Sequence, residues 1–311
     1  MTTVAEPRAH TSVLLKELLA GLRIVPGGLY VDCTVNGAGH ALAVLEASSP
    51  GGRLLGIDAD PRTIRAAERR LAAHGGAFLL VNDNFANLGE TAKHYGFEKV
   101  HGVYFDLGLS STQLEEPGRG FSFQRDDPLD MRFSDRQERT AADLVNGEPE
   151  GELVRVLRAY GEEPRSRAIA RRIVARRPLH TTGELAQAVQ SAVPGPRRRI
   201  HPATRTMQAI RIWVNDELAN LESALDQAAA LLGPGGRIAA VSFHSLEDRL
   251  VKSFFRRESS SEEWLPGMPA PEPGGDARLR LITRRVITPS PEEIESNPRS
   301  RSGRLRVAER L

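Results

Sequence analysis

Four short apolar runs in the first third of the chain each end at an acidic residue, and the spacing of those acids limits what the chain can fold into. The runs are Leu29 to Thr34, which contains Asp32; Arg53 to Ile57, stopped by Asp58; Ala77 to Val81, stopped by Asn82-Asp83; and Val100 to Phe105, stopped by Asp106. Asp32, Asp58, Asp83 and Asp106 stand 26, 25 and 23 residues apart, the length of one strand, turn and helix. Between the runs, Ala41 to Ala47 reads as helix, and Pro61 opens another that carries Ile64, Ala67 and Leu71 at helical spacing. The pattern predicts an α/β fold with a mostly parallel, doubly wound sheet, and an acid at the carboxyl edge of each successive strand. In an open sheet that edge is where ligands bind.

The rhythm then breaks. The next strand-like run is Arg237 to Phe243, and Asp106 to Val241 is a step of 135 residues, so a segment of roughly 100 residues is inserted. Leu218, Leu221, Leu225, Ala228 and Leu232 mark the helix that leads into this fifth strand, with Gly233-Pro234-Gly235-Gly236 as its stop. The expected division is residues 1–111 with 212–311 as one domain and 112–211 as an inserted, mainly helical one. After a helix from Leu246 to Arg257, the Ser-, Pro-, Gly- and Glu-rich stretch from Glu258 to Asp276 predicts a loop. Leu279 to Ile287 and Arg304 to Ala308 predict an antiparallel edge on the sheet.

Charge is distributed unevenly. The net charge is only +2, yet from Gly151 to Arg211 there are 13 Arg against four Glu. Pro164 to Arg177 is amphipathic, with Ile169, Ala170, Ile173 and Val174 on one stripe and Arg165, Arg167, Arg171, Arg172 and Arg176 over much of the rest. Arg197, Arg198 and Arg199 follow in a Pro/Gly-flanked loop. Such a surplus suits phosphate contacts, and it equally describes a solvated helix face. No apolar stretch approaches 18 residues, the polar N-terminus from Met1 to His10 holds no signal-peptide core, and Cys33 is the single cysteine. A cytoplasmic protein without membrane span, disulfide or cysteine-based metal site is the expectation.

A small-residue turn after a first strand, with an acid ending the second, suits a nucleotide-like ligand: backbone can approach it, and the acid, here Asp58, accepts from ribose hydroxyls. The pyrophosphate-binding G-x-G-x-x-G spacing is absent, because Gly37 and Gly39 are followed by Leu42. That absence favours S-adenosyl-L-methionine, which carries no pyrophosphate, over a nicotinamide dinucleotide.

Longer motifs narrow the reading. Asp106-Leu107-Gly108-Leu109-Ser110-Ser111, Arg119-Gly120-Phe121-Ser122-Phe123, Pro128-Leu129-Asp130-Met131-Arg132, His201-Pro202-Ala203-Thr204-Arg205-Thr206 and Ser242-Phe243-His244-Ser245-Leu246-Glu247-Asp248-Arg249 closely resemble the bacterial ribosomal RNA small subunit methyltransferase H family, also called MraW. The resemblance covers essentially the whole chain. It implies a class I, Rossmann-like methyltransferase with a helical insert after the fourth strand, acting with S-adenosyl-L-methionine on N4 of a cytidine in the decoding region of 16S ribosomal RNA. It places cofactor contacts at Ala38, Gly39, His40, Asp58, Phe85, Asp106 and Gln113. The family's usual Gly-x-Gly-Gly-His turn reads Asn36-Gly37-Ala38-Gly39-His40 here, which sets a methyl where glycine is expected.

Methyl transfer to an exocyclic amine needs acceptors that draw the lone pair out of ring conjugation. Asp106 and the Leu107 carbonyl are the candidates by position, with cofactor binding the alternative role for Asp106, and His244 at the end of the fifth strand is a third catalytic candidate. Phe121 and Phe123 are candidates for stacking on an unpaired base, and Arg171, Arg172, Arg197, Arg198, Arg199, His201 and Arg205 for holding RNA. The expected partner is 16S ribosomal RNA within the small ribosomal subunit, with a homodimer left open. A non-catalytic RNA-binding factor on the same fold and a nucleotide-dependent dehydrogenase are the rival readings.

Overall fold

A computed structural model describes residues 12–193, 201–260, 262–263, 272–273 and 276–311. The chain divides into two compact units, residues 1–110 with 219–311, and residues 111–218.

The first unit opens with helix α1 (Leu15–Leu22), which the sequence pattern had not marked, and continues β1 (Leu29–Asp32), α2 (Gly39–Ala47), β2 (Arg53–Asp58), α3 (Pro61–Leu71), β3 (Phe78–Asn82), α4 (Leu88–His94) and β4 (Val100–Asp106). The second unit carries α5 (Ser111–Glu115), α6 (Ala141–Gly147), α7 (Glu150–Ala159), α8 (Ser166–Ala175), α9 (Thr182–Ala192) and α10 (Ala203–Asn215). Helix α11 (Glu217–Leu231) returns to the first unit, followed by β5 (Leu232–Ser242), α12 (Ser245–Glu258), the short β6 (Glu262–Glu263) and β7 (Glu272–Pro273), β8 (Leu279–Leu281), α13 (Pro291–Ser296) and β9 (Arg304–Arg310).

Seven strands form one sheet in the order β3-β2-β1-β4-β5-β9-β8. The first five are parallel, and β9 runs antiparallel between β5 and β8. The parallel strands read as unbroken apolar runs because both faces are covered. Tyr30, Leu54, Tyr104 and Ala239 share one buried cluster with Leu18 and Leu22 of α1, Val44 of α2 and Ile64 and Leu71 of α3. Val31, Leu55, Phe105 and Ile238 share the other with Leu88 of α4, Leu225 of α11 and Phe254 of α12. Consecutive residues of each strand thus enter opposite helix layers, as the pleat requires.

Strand order reverses between β1 and β4, so Asp32 and Asp106 end on neighbouring strands where the sheet splits. At the other edge, Arg237 of β5 lies opposite Glu309 of β9 and binds it through Nε at 2.9 Å. The run from Leu279 to Ile287 is strand only over Leu279–Leu281, because Ile282 and Thr283 both donate their N–H to the Val307 carbonyl and the ladder loses register. It resumes as a single bridge, Ile287 to Leu305. Of the stretch expected as a loop, residues 261, 264–271 and 274–275 lie outside the described residues.

In the second unit, the stripe read on Pro164 to Arg177 is the buried face of α8, with Ile169, Ala170 and Ile173 inside and Arg165, Arg167, Arg171, Arg172 and Arg176 exposed. The loop before α6 is fastened by its own motif residues. Arg132 grips Asp130 through Nε and Nη2, both at 2.9 Å. Asn215 accepts from Phe133 N–H at 2.8 Å and donates to the Met131 carbonyl at 2.8 Å.

Gly120 (φ +72°) sits inside this loop, and a Cβ there would lie 2.4 Å from the Pro128 carbonyl oxygen and 2.9 Å from the Asp130 nitrogen; Gly118 (φ +82°) has nothing within 4 Å. Gly118→Ala should therefore cost only the left-handed backbone penalty, about 1 kcal/mol, whereas Gly120→Ala adds overpacking against backbone of about 1–3 kcal/mol. Urea-denaturation midpoints of the two variants should separate accordingly; equal midpoints would contradict the crowding.

Candidate functional site

The end of β1 is tied to both neighbours by short polar residues. Asp32 Oδ1 accepts the Thr34 N–H at 3.0 Å and bends the chain out of the strand. Thr34 Oγ1 then accepts the N–H of Asp106 at 2.5 Å. Asn36 spans the sheet: its N–H donates to Asp58 Oδ2 at 3.1 Å, and its side-chain Nδ2 to the Asp106 carbonyl at 2.7 Å. One residue fixes the ends of β2 and β4 relative to the turn, and it does so at φ +49°, a conformation asparagine tolerates.

Ala38, at φ +56°, is also left-handed. Its methyl is fully buried, in the same apolar cluster as Val13, Leu14 and Ala41. Burying a methyl gains about 0.8 kcal/mol, which nearly offsets a left-handed penalty of about 1 kcal/mol, so alanine stands in for the family's glycine at little net cost. At Gly39 the close approach comes from the chain's own N-terminal segment: a Cβ there would lie 2.1 Å from Ser12 Oγ. The Arg70 guanidinium of α3 donates to the Gly37 carbonyl and holds the turn from the other side.

His40 lies in the first turn of α2 and is buried. Its Nε2 lies 3.1 Å from the Val13 carbonyl and its Nδ1 3.3 Å from Asp106 Oδ2. Asp32 is fully buried beside this pair, and Asp32 Oδ2, Tyr104 Oη and Asp106 Oδ1 are buried atoms without a hydrogen-bond partner among the described residues. Burial pushes the Asp32 carboxyl up to about 7, against the Thr34 N–H, His40 and Tyr104, which pull it down; Tyr104's pull falls short of a made hydrogen bond. Burial also pulls the His40 ring down, but Asp106, Asp32 and the Val13 carbonyl outweigh it and the net shift is upward.

The remaining predicted residues of the first unit lie at or just after the ends of β2, β3, β4 and β5. Asp58 is half-buried, its carboxylate held by the N–H groups of Asn36 and of Asp60 at 2.9 Å. After β3, the Asn84 side chain caps the turn that carries Phe85, whose half-buried ring meets Phe105 edge-on at 6.0 Å. Leu107 is buried and donates its N–H to the Val241 carbonyl at 2.9 Å. His244 is the N-cap of α12: Nδ1 accepts the Glu247 N–H at 3.3 Å, while Nε2, 3.1 Å from Glu247 Oε1, makes no hydrogen bond among the described residues.

In the second unit, Gln113 lies buried on α5. Phe121 is 8% exposed, with its ring against Phe133 at 5.5 Å and under the Arg119 guanidinium at 5.3 Å, which places it in that unit's core. Phe123 stacks on the exposed His201 ring at 4.5 Å. Arg171 and Arg172 are exposed on α8, Arg172 reaching Ser191 Oγ at 2.9 Å, and exposed Arg205 donates to the Glu162 carbonyl at 3.1 Å. Arg211, by contrast, is committed to Glu217, with Nε and Nη2 at 2.7 and 2.8 Å. Arg197, Arg198 and Arg199 lie outside the described residues. Thr34, Asn36 and Tyr104 went unmarked as site residues. The first two carried a signal, polar residues in a turn after a strand, whereas Tyr104 reads only as one member of an apolar run.

An open, mostly parallel sheet with two helix layers, the antiparallel β9 between β5 and β8 and a polar cluster at the β1/β4 split defines a class I, Rossmann-like methyltransferase fold. The chain matches the MraW methylase family over residues 7–311 and belongs to it. It is 55% identical over 302 residues to the ribosomal RNA small subunit methyltransferase H of Dehalococcoides mccartyi, covering 97% of this chain and 86% of that protein. It is 50% identical over 305 residues to the protein of the same name from Thermomicrobium roseum, covering 97% and 94%. Among solved structures, the O-methyltransferase from Bacillus cereus in complex with SAH overlays with a TM-score of 0.44 at 9% identity over 98% of this chain and 84% of that one, too slight a likeness to bear on function.

Asp32 generates a stability prediction. Its ordinary value is 3.8, and burial raises it to about 7 in the folded chain, so between those values the folded state holds a proton that the unfolded state has released. The resulting stability is complete below about pH 4 and is lost as pH rises through about 7, with a slope of up to about 1.4 kcal/mol per pH unit. Asp32→Asn should flatten this decline, while the fall contributed by raised His40 at higher pH remains. Unfolding free energies measured from pH 4.5 to 8 check it, and an unchanged slope counts against a buried neutral Asp32.

Proposed function

We propose that this chain transfers a methyl group from S-adenosyl-L-methionine to the exocyclic N4 of a cytidine in the decoding region of 16S ribosomal RNA, met within the small ribosomal subunit in the cytoplasm. The observation that carries the reading is Asp106 Oδ1, a buried carboxylate oxygen without a hydrogen-bond partner among the described residues, at the strand end where the sheet divides. Leaving such an oxygen unpaired is costly, and an amine hydrogen would satisfy it. The names of the 50–55% identical relatives support ribosomal RNA as the substrate, and family membership favours neither a dehydrogenase nor a non-catalytic factor.

The residues present fit S-adenosyl-L-methionine. Asp58, oriented by two backbone N–H groups, would accept from the ribose hydroxyls, and the half-buried Phe85 ring would border the base. Ala38, Gly39 and His40 would supply the turn against which the cofactor lies. When bound, this cofactor supplies a methyl on a positively charged sulfur that departs as a neutral thioether. Asp106 Oδ1 and the Leu107 carbonyl accept the amine's hydrogens, draw its lone pair out of ring conjugation and aim it. Asp106 then takes the proton that the nitrogen sheds. The exposed arginines of α8 hold phosphates without reading bases, and Phe123 with His201 offers an aromatic pair for an unstacked nucleotide.

Mass spectrometry of nucleosides from 16S RNA should show N4-methylcytidine lost on deletion of the gene and restored by the wild-type chain but not by Asp106→Asn. In single turnovers Asp106→Asn should slow transfer by about 100-fold or more while S-adenosyl-L-methionine affinity changes little, because the acceptor bond matters most in the transition state. Collapse of affinity with a normal bound-complex rate would assign Asp106 to cofactor binding instead.

The α8 arginines are tested by salt. For Arg171→Gln/Arg172→Gln, the log–log slope of RNA affinity against salt should flatten by roughly 0.7 to 0.9 for each phosphate contact removed, with cofactor affinity unchanged. An unaltered slope would make the cluster a solvated surface.

A further inference from the structure

The proposed transfer uses one oxygen of Asp106 and leaves unexplained why a histidine is buried against the other. Both ring nitrogens of His40 face oxygen: the Val13 carbonyl at 3.1 Å from Nε2 and Asp106 Oδ2 at 3.3 Å from Nδ1. A carbonyl can only accept, so Nε2 carries hydrogen, and a proton also lies between Nδ1 and Oδ2. The Val13 contact fixes the ring, and the ring in turn fixes which oxygen of Asp106 is occupied and which is not. The titratable groups around it are Asp32 at the end of β1, Cys33 just after it, and Tyr104 and Asp106 on β4, with Tyr104 edge-on to the imidazole at 6.4 Å. Among the described residues, the strongest influences on His40 and Asp32 come from this cluster itself and the Val13 carbonyl, and His40 is the basic group among its side chains.

We propose that His40 is a positioning residue for methyl transfer: as an imidazolium anchored on the Val13 carbonyl, it holds Asp106 Oδ2, keeps Asp106 charged, and turns Oδ1 toward the exocyclic amine. This rests on the reading of Asp106 as the amine's acceptor. In the transfer the amine nitrogen gains a methyl and gives up one proton, Asp106 Oδ1 takes that proton, and it passes to water when the product leaves. A neutral ring in the same place would still pack, but it would not sustain a buried carboxylate facing a second buried acid, Asp32. The upward shift of the ring is in keeping with this arrangement, Asp106 being its largest raising influence and Asp32 the next residue in rank.

The pairing can be examined without cofactor or RNA. In the full chain with its eight histidines labelled with 15N, His40 should show both ring nitrogens protonated near neutral pH. Its titration should move to lower pH in Asp32→Asn, and further in Asp106→Asn. A His40 that is neutral at pH 7 in the wild-type chain, or whose titration ignores Asp106→Asn, overturns the proposal. In single turnovers at saturating S-adenosyl-L-methionine, His40→Gln keeps an N–H donor but loses the charge, so the acidic limb of the rate–pH profile should move up by about 1 to 3 pH units, with transfer recovering toward high pH. A limb that stays in place in a folded His40→Gln variant also overturns it. Should the wild-type chain transfer no methyl to the RNA, the reading of Asp106 falls, while the titration of His40 still reports on the pair. If His40→Gln does not fold, the wild-type, Asp32→Asn and Asp106→Asn titrations decide the question.

Discussion

The hydrogen bonds that Asn36 and Thr34 make across the end of β1 are the constraint on which the site depends. A parallel sheet that reverses its order between β1 and β4 opens a split at the carboxyl ends of those strands, where ladder bonds stop and backbone groups would be left unpaired. Thr34 closes one of these gaps by accepting the Asp106 N–H, and Asn36 closes two more, at Asp58 and at the Asp106 carbonyl. Because these bonds join three strands, the positions of Asp58 and Asp106, the two carboxylates proposed to bind cofactor and amine, are set by the turn between them. The left-handed backbone at Asn36 and Ala38 follows from that geometry.

Behind the turn lies an arrangement that is expensive for stability. Two carboxyl groups, an imidazole and a phenol are buried together, with three polar atoms unsatisfied among the described residues. Each unsatisfied group costs on the order of 1–3 kcal/mol, and apolar residues of similar volume would pack there more cheaply. A chain that keeps three unsatisfied polar atoms together at its sheet split, among the described residues, stores polar strain where ligands of such sheets bind.

The second unit divides its motif residues between construction and surface. Arg119, Gly120, Phe121, Asp130 and Arg132 build a loop: guanidinium on carboxylate, guanidinium on ring, and a glycine pressed on backbone. Arg171, Arg172, Phe123 and His201 remain at or near the surface. Residues adjacent in one motif, such as Phe121 and Phe123, therefore play different parts.

The sequence by itself determined the sheet and the insert. Strand period, acid spacing and the long gap after Asp106 are local properties, and they foretold five parallel strands, an antiparallel edge and a helical segment between β4 and β5. The apolar stripe of α8 was likewise legible, because burial of one helix face follows from a 3.6-residue period. The edge strand at Leu279 was overrun, since its end depends on two N–H groups competing for one Val307 carbonyl. What only the tertiary structure decided is which polar atoms meet. That Asn36 reaches across to both Asp58 and Asp106, and that His40 lies between Val13 and Asp106, are facts of distances between segments far apart in the chain. No local period encodes those distances, because they arise only when the strand order reverses and brings the ends of β1 and β4 together.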